Sequence, residues 1–135
     1  MAGQLTIDTL KASSGVLATQ NGMTGIAKAW VTFDATTTAP TINNSFNISS
    51  VTKTGTGLFY CDFTTAMPNT TYSLVGSTSV RWGDGCPVGT QFNANGSAGW
   101  VAPTTSRFYM ATWSSTPSFV NYNSLYNYVS VFSTT

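Results

Sequence analysis

The sequence predicts an all-β fold, an antiparallel β-sandwich of the jelly-roll kind that follows an extended N-terminal arm. Three observations support this prediction. Short segments in which apolar and polar residues alternate recur along the chain, and turn-forming residues separate them. Thr, Ser and Asn supply 50 of the 135 residues, and the branched Thr side chain suits a pleated, half-exposed surface. No segment shows the 3.6-residue period of an amphipathic helix.

The chain divides into an N-terminal arm, residues 1–24, and a body, residues 25–135. The body has the length of one domain with a single core. The arm has no sustained period of 2 or 3.6, and its apolar side chains would be poorly placed in water. We expect them to anchor the arm on a neighbouring subunit, and a frayed terminus is the alternative. The anchoring residues are Leu5, Ile7, Leu10, Val16 and Leu17.

Regular alternation begins at Gly25 and predicts the first strand of the body, with partial burial on both faces. A turn at residues 34–40 then ends this strand. One face of this strand carries Ile26, Lys28, Trp30 and Thr32, and the other carries Ala27, Ala29, Val31 and Phe33.

A hairpin follows the first strand. Phe46, Ile48 and Val51 mark a second strand, and we expect it to pair with a third strand, residues 58–63. The turn lies at residues 53–57, where glycine supplies the positive φ that a tight connection needs. Alternation at residues 72–77, 107–113 and 125–132 predicts three further strands, the last with Leu125, Val129 and Val131 on one face. Six or more short strands of this kind are typical of an antiparallel sandwich or barrel.

Four motifs in this part of the chain resemble a known family. They are Ala-Lys-Ala-Trp at residues 27–30, Ser-Phe-Asn-Ile-Ser-Ser-Val at 45–51, Gly-Thr-Gly at 55–57 and Asp-Phe-Thr-Thr-Ala-Met-Pro at 62–68. In this order they resemble the small β domain of bacteriophage tail-fibre and head-fibre proteins, and residues 118–132 are similar to its closing strand. The resemblance implies a non-enzymatic attachment or decoration module of the virion, usually a homotrimer. Residues 77–106 have no counterpart in the family.

The charge of the chain excludes several classes of partner. Only nine side chains are formally charged, the net charge is +1, and no basic cluster occurs. We therefore expect no nucleic-acid partner. No apolar run approaches the ~18 residues of a membrane-spanning helix, and the N-terminus lacks the pattern of a signal peptide. We expect assembly of a virion protein in the host cytoplasm, where Cys61 and Cys86 stay free thiols.

The chain has few residues suited to catalysis. It contains no His and no Glu, so the usual general bases and the commonest metal ligand are missing. We expect no enzymatic activity, no cofactor and no metal. The alternative is a carbohydrate-active enzyme, which would need two of Asp34, Asp62 and Asp84 to converge in a cleft.

The segment 78–103 is the candidate recognition region, because aromatic rings stack on sugars while amides and carboxylates bind hydroxyls, and long loops commonly carry function. The alternative is that Trp82 and Trp100 plug the end of the sandwich and the glycines shape turns. The candidate receptor or glycan contacts are Arg81, Trp82, Asp84, Phe92, Asn93, Asn95 and Trp100.

The eighteen aromatic residues exceed what one small core requires, and apolar surface left over favours burial between subunits. We therefore expect a homotrimeric phage protein that also contacts other virion proteins. The first hypothesis is a short tail-fibre or tail-tip component that contacts the host surface, with a host glycan as one possible ligand. The alternatives are a capsid decoration protein or head-fibre knob, which the short chain favours, and a carbohydrate-binding module.

Overall fold

Two antiparallel β-sheets form the fold in the computed structural model, which describes residues 26–79, 88–93, 101–114 and 120–133. The predicted β-sandwich is confirmed, and the described residues contain no helix. Sheet A has the order β2 (Thr41–Phe46), β1 (Ala29–Asp34), β9 (Asn127–Phe132), β5 (Ser73–Thr78). Sheet B has the order β3 (Ile48–Gly55), β4 (Leu58–Phe63), β7 (Arg107–Ser114), β6 (Val88–Phe92), and β8 (Val120–Asn121) also pairs with β7. The predicted arm, including Leu5, Ile7, Leu10, Val16 and Leu17, lies outside the described residues.

The strand pairings are nested as in a jelly roll. In sheet A, β1 pairs with β9, the last strand, and β9 pairs with β5. In sheet B, β4 pairs with β7, and β7 pairs with β6. Sheet A therefore has the strands β1 and β9 side by side, although they lie near opposite ends of the described chain, and sheet B is built from strands between them.

The core lies between the sheets and is built by the predicted alternation. In β1, the side chains of Ala29, Val31 and Phe33 are buried. In β4, Phe59, Cys61 and Phe63 share the buried face, as predicted. The rings of Phe33 in sheet A and Phe59 in sheet B meet edge to face with their centres 5.4 Å apart. Such an aromatic pair adds about 0.5–1.5 kcal/mol beyond the area that it buries.

Most predicted strands are confirmed, and two assignments are wrong. The hairpin pairs Val51 with Cys61, and Gly57 in its turn has a φ of 65°. Phe46, however, does not belong to the same strand as Ile48. It ends β2 in sheet A, whereas Ile48 begins β3 in sheet B. Leu125 precedes β9 and is exposed rather than part of its buried face. The sequence analysis did not predict β2, β6 and β8.

Asn47 is the corner at which the chain passes from sheet A to sheet B. Its φ of 55° is left-handed, a conformation that Asn tolerates better than most residues. Its Nδ2 donates to the carbonyl oxygens of Lys28 (3.2 Å) and Thr65 (3.1 Å), and its Oδ1 accepts from the Thr65 N–H (2.7 Å). Its own carbonyl accepts from the N–H of Thr64 (3.2 Å). One side chain thus joins the residue before β1 to the residues after β4.

Tyr72 fixes the same end of the sandwich from inside. Its ring packs edge to face on Phe63 at 5.6 Å, and its hydroxyl donates towards the carbonyl oxygens of Thr104 (3.0 Å) and Arg107 (2.9 Å). Burial raises the pKa of Tyr72 to about 12, so the phenol remains a hydrogen-bond donor even in moderately alkaline solution.

We predict that two substitutions at Asn47 distinguish the contribution of its positive φ to stability from the contribution of its side-chain hydrogen bonds. Asn47→Gly keeps the left-handed conformation accessible but loses hydrogen bonds worth about 1 kcal/mol each. Asn47→Ala loses the same bonds and adds about 1–2 kcal/mol for the positive φ. Urea unfolding followed by tryptophan fluorescence should therefore rank stability as wild type, then Gly, then Ala. The exposed Asn43 of β2 is the control, and Asn43→Ala should change the free energy of unfolding by less than about 0.5 kcal/mol. Equal stability of the Gly and Ala variants would contradict the backbone part of this account.

Candidate functional site

The outer face of sheet B carries a cluster of polar and aromatic side chains, which we call the platform: Tyr60, Asp62, Gln91, Arg107 and Tyr109. Alternate residues of a strand point to opposite faces, so Tyr60 and Asp62 point outward between the buried residues of β4. Antiparallel pairing places Tyr60 directly opposite Tyr109, and Asp62 directly opposite Arg107. The register of two strands far apart in sequence thus assembles the platform.

Arg107 contacts Asp62 and Tyr60 on the platform, and further neighbours support these two. Its Nε donates to Oδ1 of Asp62 at 2.8 Å, and its guanidinium carbon lies 4.1 Å from the centre of the Tyr60 ring. The Tyr60 and Tyr109 rings meet at an angle of 60° with their centres 6.0 Å apart. The second oxygen of Asp62 accepts from the Ser50 hydroxyl at 2.9 Å. Neighbours on β3, β4 and β7 therefore fix both charged groups.

The charges of the platform compensate each other. A hydrogen bond with Tyr109, and after it the hydrogen bond and charge of Asp62, raise the pKa of Arg107 above its usual range, against the opposing effect of desolvation. The side chains of Arg107 and Asp62 are 35% and 25% exposed, and such a surface pair contributes at most about 1 kcal/mol to stability. The pair serves to position groups more than to stabilise the fold.

Strand β6 adds polar groups beside Tyr109. Gln91 is exposed and lies opposite Ala111, two residues along β7 from Tyr109. The N–H of Asn93 donates to the carbonyl oxygen of Tyr109 at 2.7 Å. Asn93 has a left-handed φ of 56°, and its Oδ1 is buried without a hydrogen-bond partner. The side-chain amides of Gln91 and Asn93 therefore lie on the β6 side of the platform.

The outer face of sheet A has a different character, and we call it the aromatic face. One row across its four strands consists of Phe46, Trp30, Ser130 and Val75, and the next consists of Asn44, Thr32, Tyr128 and Ser77. None of the eight is charged. Tyr126 stacks beside Tyr128 with the ring centres 6.4 Å apart.

Much of the aromatic face is open to solvent. The exposed fractions are 42% for Phe46, 58% for Val75, 48% for Tyr126 and 46% for Tyr128. Since an aromatic side chain presents about 150–250 Å² in all, these four leave an apolar area on the order of 300–400 Å². An area of that size lies in the range of patches that mark binding surfaces.

A groove with a volume of about 340 Å³ lies at the end of the sandwich opposite to Asn47, between Thr36, Thr56, Tyr122 and Asn123. Gly57 lies beside it. The Gly57 N–H donates to Oδ1 of Asn123 at 2.8 Å, and its carbonyl accepts from the Thr112 N–H at 2.8 Å. The groove therefore depends on the hairpin turn that Gly57 forms.

The predicted recognition residues lie only partly within the described residues. Phe92 is partly buried and packs on the core, with its ring 6.4 Å from that of Phe108, which favours a structural role for it. Asn93 lies at the edge of the platform. Strand β6 lies within the segment 78–103, so one part of the segment precedes this strand and another part follows it. The other predicted contacts, Arg81, Trp82, Asp84, Asn95 and Trp100, lie outside the described residues.

The described carboxylates have structural partners. Asp34 accepts from the N–H and hydroxyl of Thr36 at 2.8 and 2.7 Å and so forms the predicted turn, and Asp62 binds Arg107. Among the described residues, no three His, Cys, Asp or Glu side chains are grouped as metal ligands would be. Cys61 is a free, buried thiol, and burial, with a smaller effect of the Asp62 charge, raises its pKa. Cys86 lies outside the described residues.

Sequence reasoning missed Tyr60, Arg107 and Tyr109 as a site. A signal for the two tyrosines was present, because each alternates with buried residues of its strand and must therefore point outward. Their meeting across β4 and β7 could not be read from the sequence.

Comparison of the chain with protein-family models, with curated proteins and with solved structures finds no match. The described part of the chain also has no helix of the length and apolarity that crossing a membrane requires.

We predict that alanine destabilises the fold far more at Gly57 than at Gly55, two residues away in the same hairpin. A Cβ on Gly57 would lie 2.5 Å from the Tyr122 nitrogen and 2.9 Å from its oxygen, at a φ of 65°. Gly57→Ala should therefore lower the free energy of unfolding by more than about 2 kcal/mol. A Cβ on Gly55 meets only the flexible Leu58 side chain, at 3.3 Å, so Gly55→Ala should cost less than about 1 kcal/mol. Thermal denaturation of both variants measures the difference, and similar losses would contradict the proposed packing of the turn.

Proposed function

We propose that the chain is a non-enzymatic structural protein of a bacteriophage virion, a short homotrimeric tail-fibre or tail-tip component that contacts the host surface. The observation that carries the proposal is the aromatic face, whose two rows across the four strands of sheet A are uncharged and in part exposed. Patches of this size are often functional surfaces, and assembly of several copies would bury this one.

The size of the aromatic face fits an interface between copies of the chain. A stable interface buries about 800 Å² on each partner, of which somewhat more than half is apolar. The four most exposed side chains of the aromatic face supply most of that apolar area. Three copies whose sheet A surfaces meet around a three-fold axis form a closed assembly, and the platforms of sheet B then remain on the outside.

The motifs that resemble phage fibre domains also fit this proposal. Asn47, in the second motif, binds Lys28 of the first and Thr65 of the fourth. The third motif forms the turn that contains Gly57. The first, second and fourth motifs thus meet at the Asn47 corner, and the third forms the turn at the other end of the β3–β4 hairpin, which supports treating them as a set.

We predict a trimer in solution that one charge on the aromatic face disrupts. Light scattering coupled to size-exclusion chromatography at micromolar concentration should give three times the 14.3 kDa of one chain. Val75→Asp should produce monomers, because an unpaired charge buried in an interface costs about 3–5 kcal/mol. Gln91→Asp is the matched control, an exposed position on the edge strand of sheet B, and should leave the trimer intact. A monomeric wild-type protein would contradict the assembly part of the proposal.

We predict that antibody raised against residues 25–135 labels purified virions in immunogold electron microscopy. Gold on the tail is the expected result for an attachment fibre. Gold on the head would replace the tail-fibre assignment by capsid decoration or a head-fibre knob. Intact particles that bind no antibody would contradict the virion proposal altogether and would favour a free carbohydrate-binding module.

A further inference from the structure

The platform on sheet B combines an aromatic ring with hydrogen-bonding groups that neighbouring side chains hold in place. Arg107 already covers a face of the Tyr60 ring, at 4.1 Å. Tyr60 in turn meets the Tyr109 ring at 60°. The Tyr109 ring is part-exposed and has no cation stacked on it among the described residues. Tyr109 is therefore the ring on which a ligand can lie.

The charge of the platform selects the kind of ligand. Arg107 and Asp62 form an ion pair at 2.8 Å, so the platform presents one positive and one negative charge that cancel. An anionic ligand would have to compete with Asp62 for the guanidinium. A neutral ligand can instead use the remaining N–H groups of Arg107 as donors without displacing Asp62.

A saccharide is a neutral molecule that matches both properties. Its ring has a C–H face, which lies against the negative face of an aromatic ring, and a rim of hydroxyl groups, which donate and accept hydrogen bonds. Gln91 offers both a donor and an acceptor next to Tyr109, and it is exposed. Because the positions of Arg107 and Tyr60 are already fixed, little side-chain freedom would be lost on binding.

We propose that the platform is a binding site for neutral saccharides, with one sugar ring stacked on Tyr109 and its hydroxyl groups bound by Gln91 and Arg107. This inference deepens the proposed function and rests on it for the identity of the host-surface ligand. The site shares only its β6 side, with Gln91, with the segment 78–103 in which the sequence analysis placed recognition, since Tyr60, Asp62, Arg107 and Tyr109 lie on β4 and β7. A trimer would carry three such sites and gain avidity without further contacts.

The test uses the full chain and a panel of neutral trisaccharides built from glucose, galactose, mannose or N-acetylglucosamine, with a sialylated trisaccharide as the anionic counterpart. Titrations followed by amide chemical shifts should show at least one neutral trisaccharide that perturbs residues of β4, β6 and β7. The affinity should change little between 50 and 500 mM salt, because no net charge is involved. Perturbation by the sialylated trisaccharide alone, weakened by salt, would overturn the proposal in favour of an anion site, and no perturbation by any member would overturn it as well.

Three variants test the roles of the residues. Tyr109→Ala should weaken binding about tenfold or more through loss of stacking, and Tyr109→Phe, which keeps the ring, should stay within about threefold of wild type. Gln91→Ala, an exposed change that does not threaten folding, should also weaken binding. Unchanged affinity in both Tyr109→Ala and Gln91→Ala would overturn the proposal.

The exposed Tyr128 of the aromatic face is the matched control. Tyr128→Ala should weaken trimer formation but leave the affinity of each site for a trisaccharide unchanged, whereas Tyr109→Ala should do the reverse. The experiments can therefore refute the proposed virion trimer without refuting the saccharide site, and the reverse. Saccharide binding by a protein absent from virions would refute the proposed function and keep the site, and a virion trimer without saccharide binding would refute the site alone.

Discussion

The left-handed residue Asn47 is the constraint on which the sandwich depends. A chain that continued β2 directly into β3 would extend one sheet, and the residues of β3 would have no opposing layer to pack against. The positive φ of Asn47 turns the chain into the second sheet, and its side chain satisfies backbone groups that border both sheets. The Asn47 side chain pairs three backbone groups at this part-exposed corner, so the corner and its hydrogen bonds form together. The Phe33–Phe59 contact joins the two sheets that this turn places face to face.

Once the sheets are opposed, alternation gives each of them one buried and one outer face, and the outer faces differ in chemistry. The aromatic face of sheet A presents mainly aromatic and hydroxyl groups without charge in its two rows, and sheet B presents tyrosines around a compensated ion pair. This difference is the physical basis for assigning different roles to the two faces. It depends on the register of β4 with β7, because a shift by one residue would bury Tyr60 and Asp62 and expose Phe59 and Cys61.

Much of the fold could be predicted from the sequence. Apolar and polar residues alternate clearly in β1, β4, β5, β7 and β9, and the glycine at position 57 indicates a tight turn. Strand β2 was missed because Thr-Ile-Asn-Asn-Ser-Phe has no regular period, and its pairing with β1 is irregular between Thr32 and Phe33. Phe46 and Ile48 look like one strand, because Asn tolerates the left-handed conformation without requiring it, and an Asn at position 47 therefore does not by itself predict a corner. The platform was not predictable as a unit. Asp62 and Arg107 are 45 residues apart, and only the fold makes them neighbours.

The measurement that tests the separate roles of the two faces most directly is hydroxyl-radical footprinting with mass spectrometry, performed on the concentrated protein and on a dilute sample in which the assembly dissociates. The account predicts that Phe46, Tyr126 and Tyr128 are oxidised slowly in the assembled protein and faster after dilution. Tyr60 and Tyr109 should be oxidised at the same rate in both samples. Protection of the two platform tyrosines on assembly, with Tyr126 and Tyr128 unaffected, would contradict the account, because it would place the interface on sheet B.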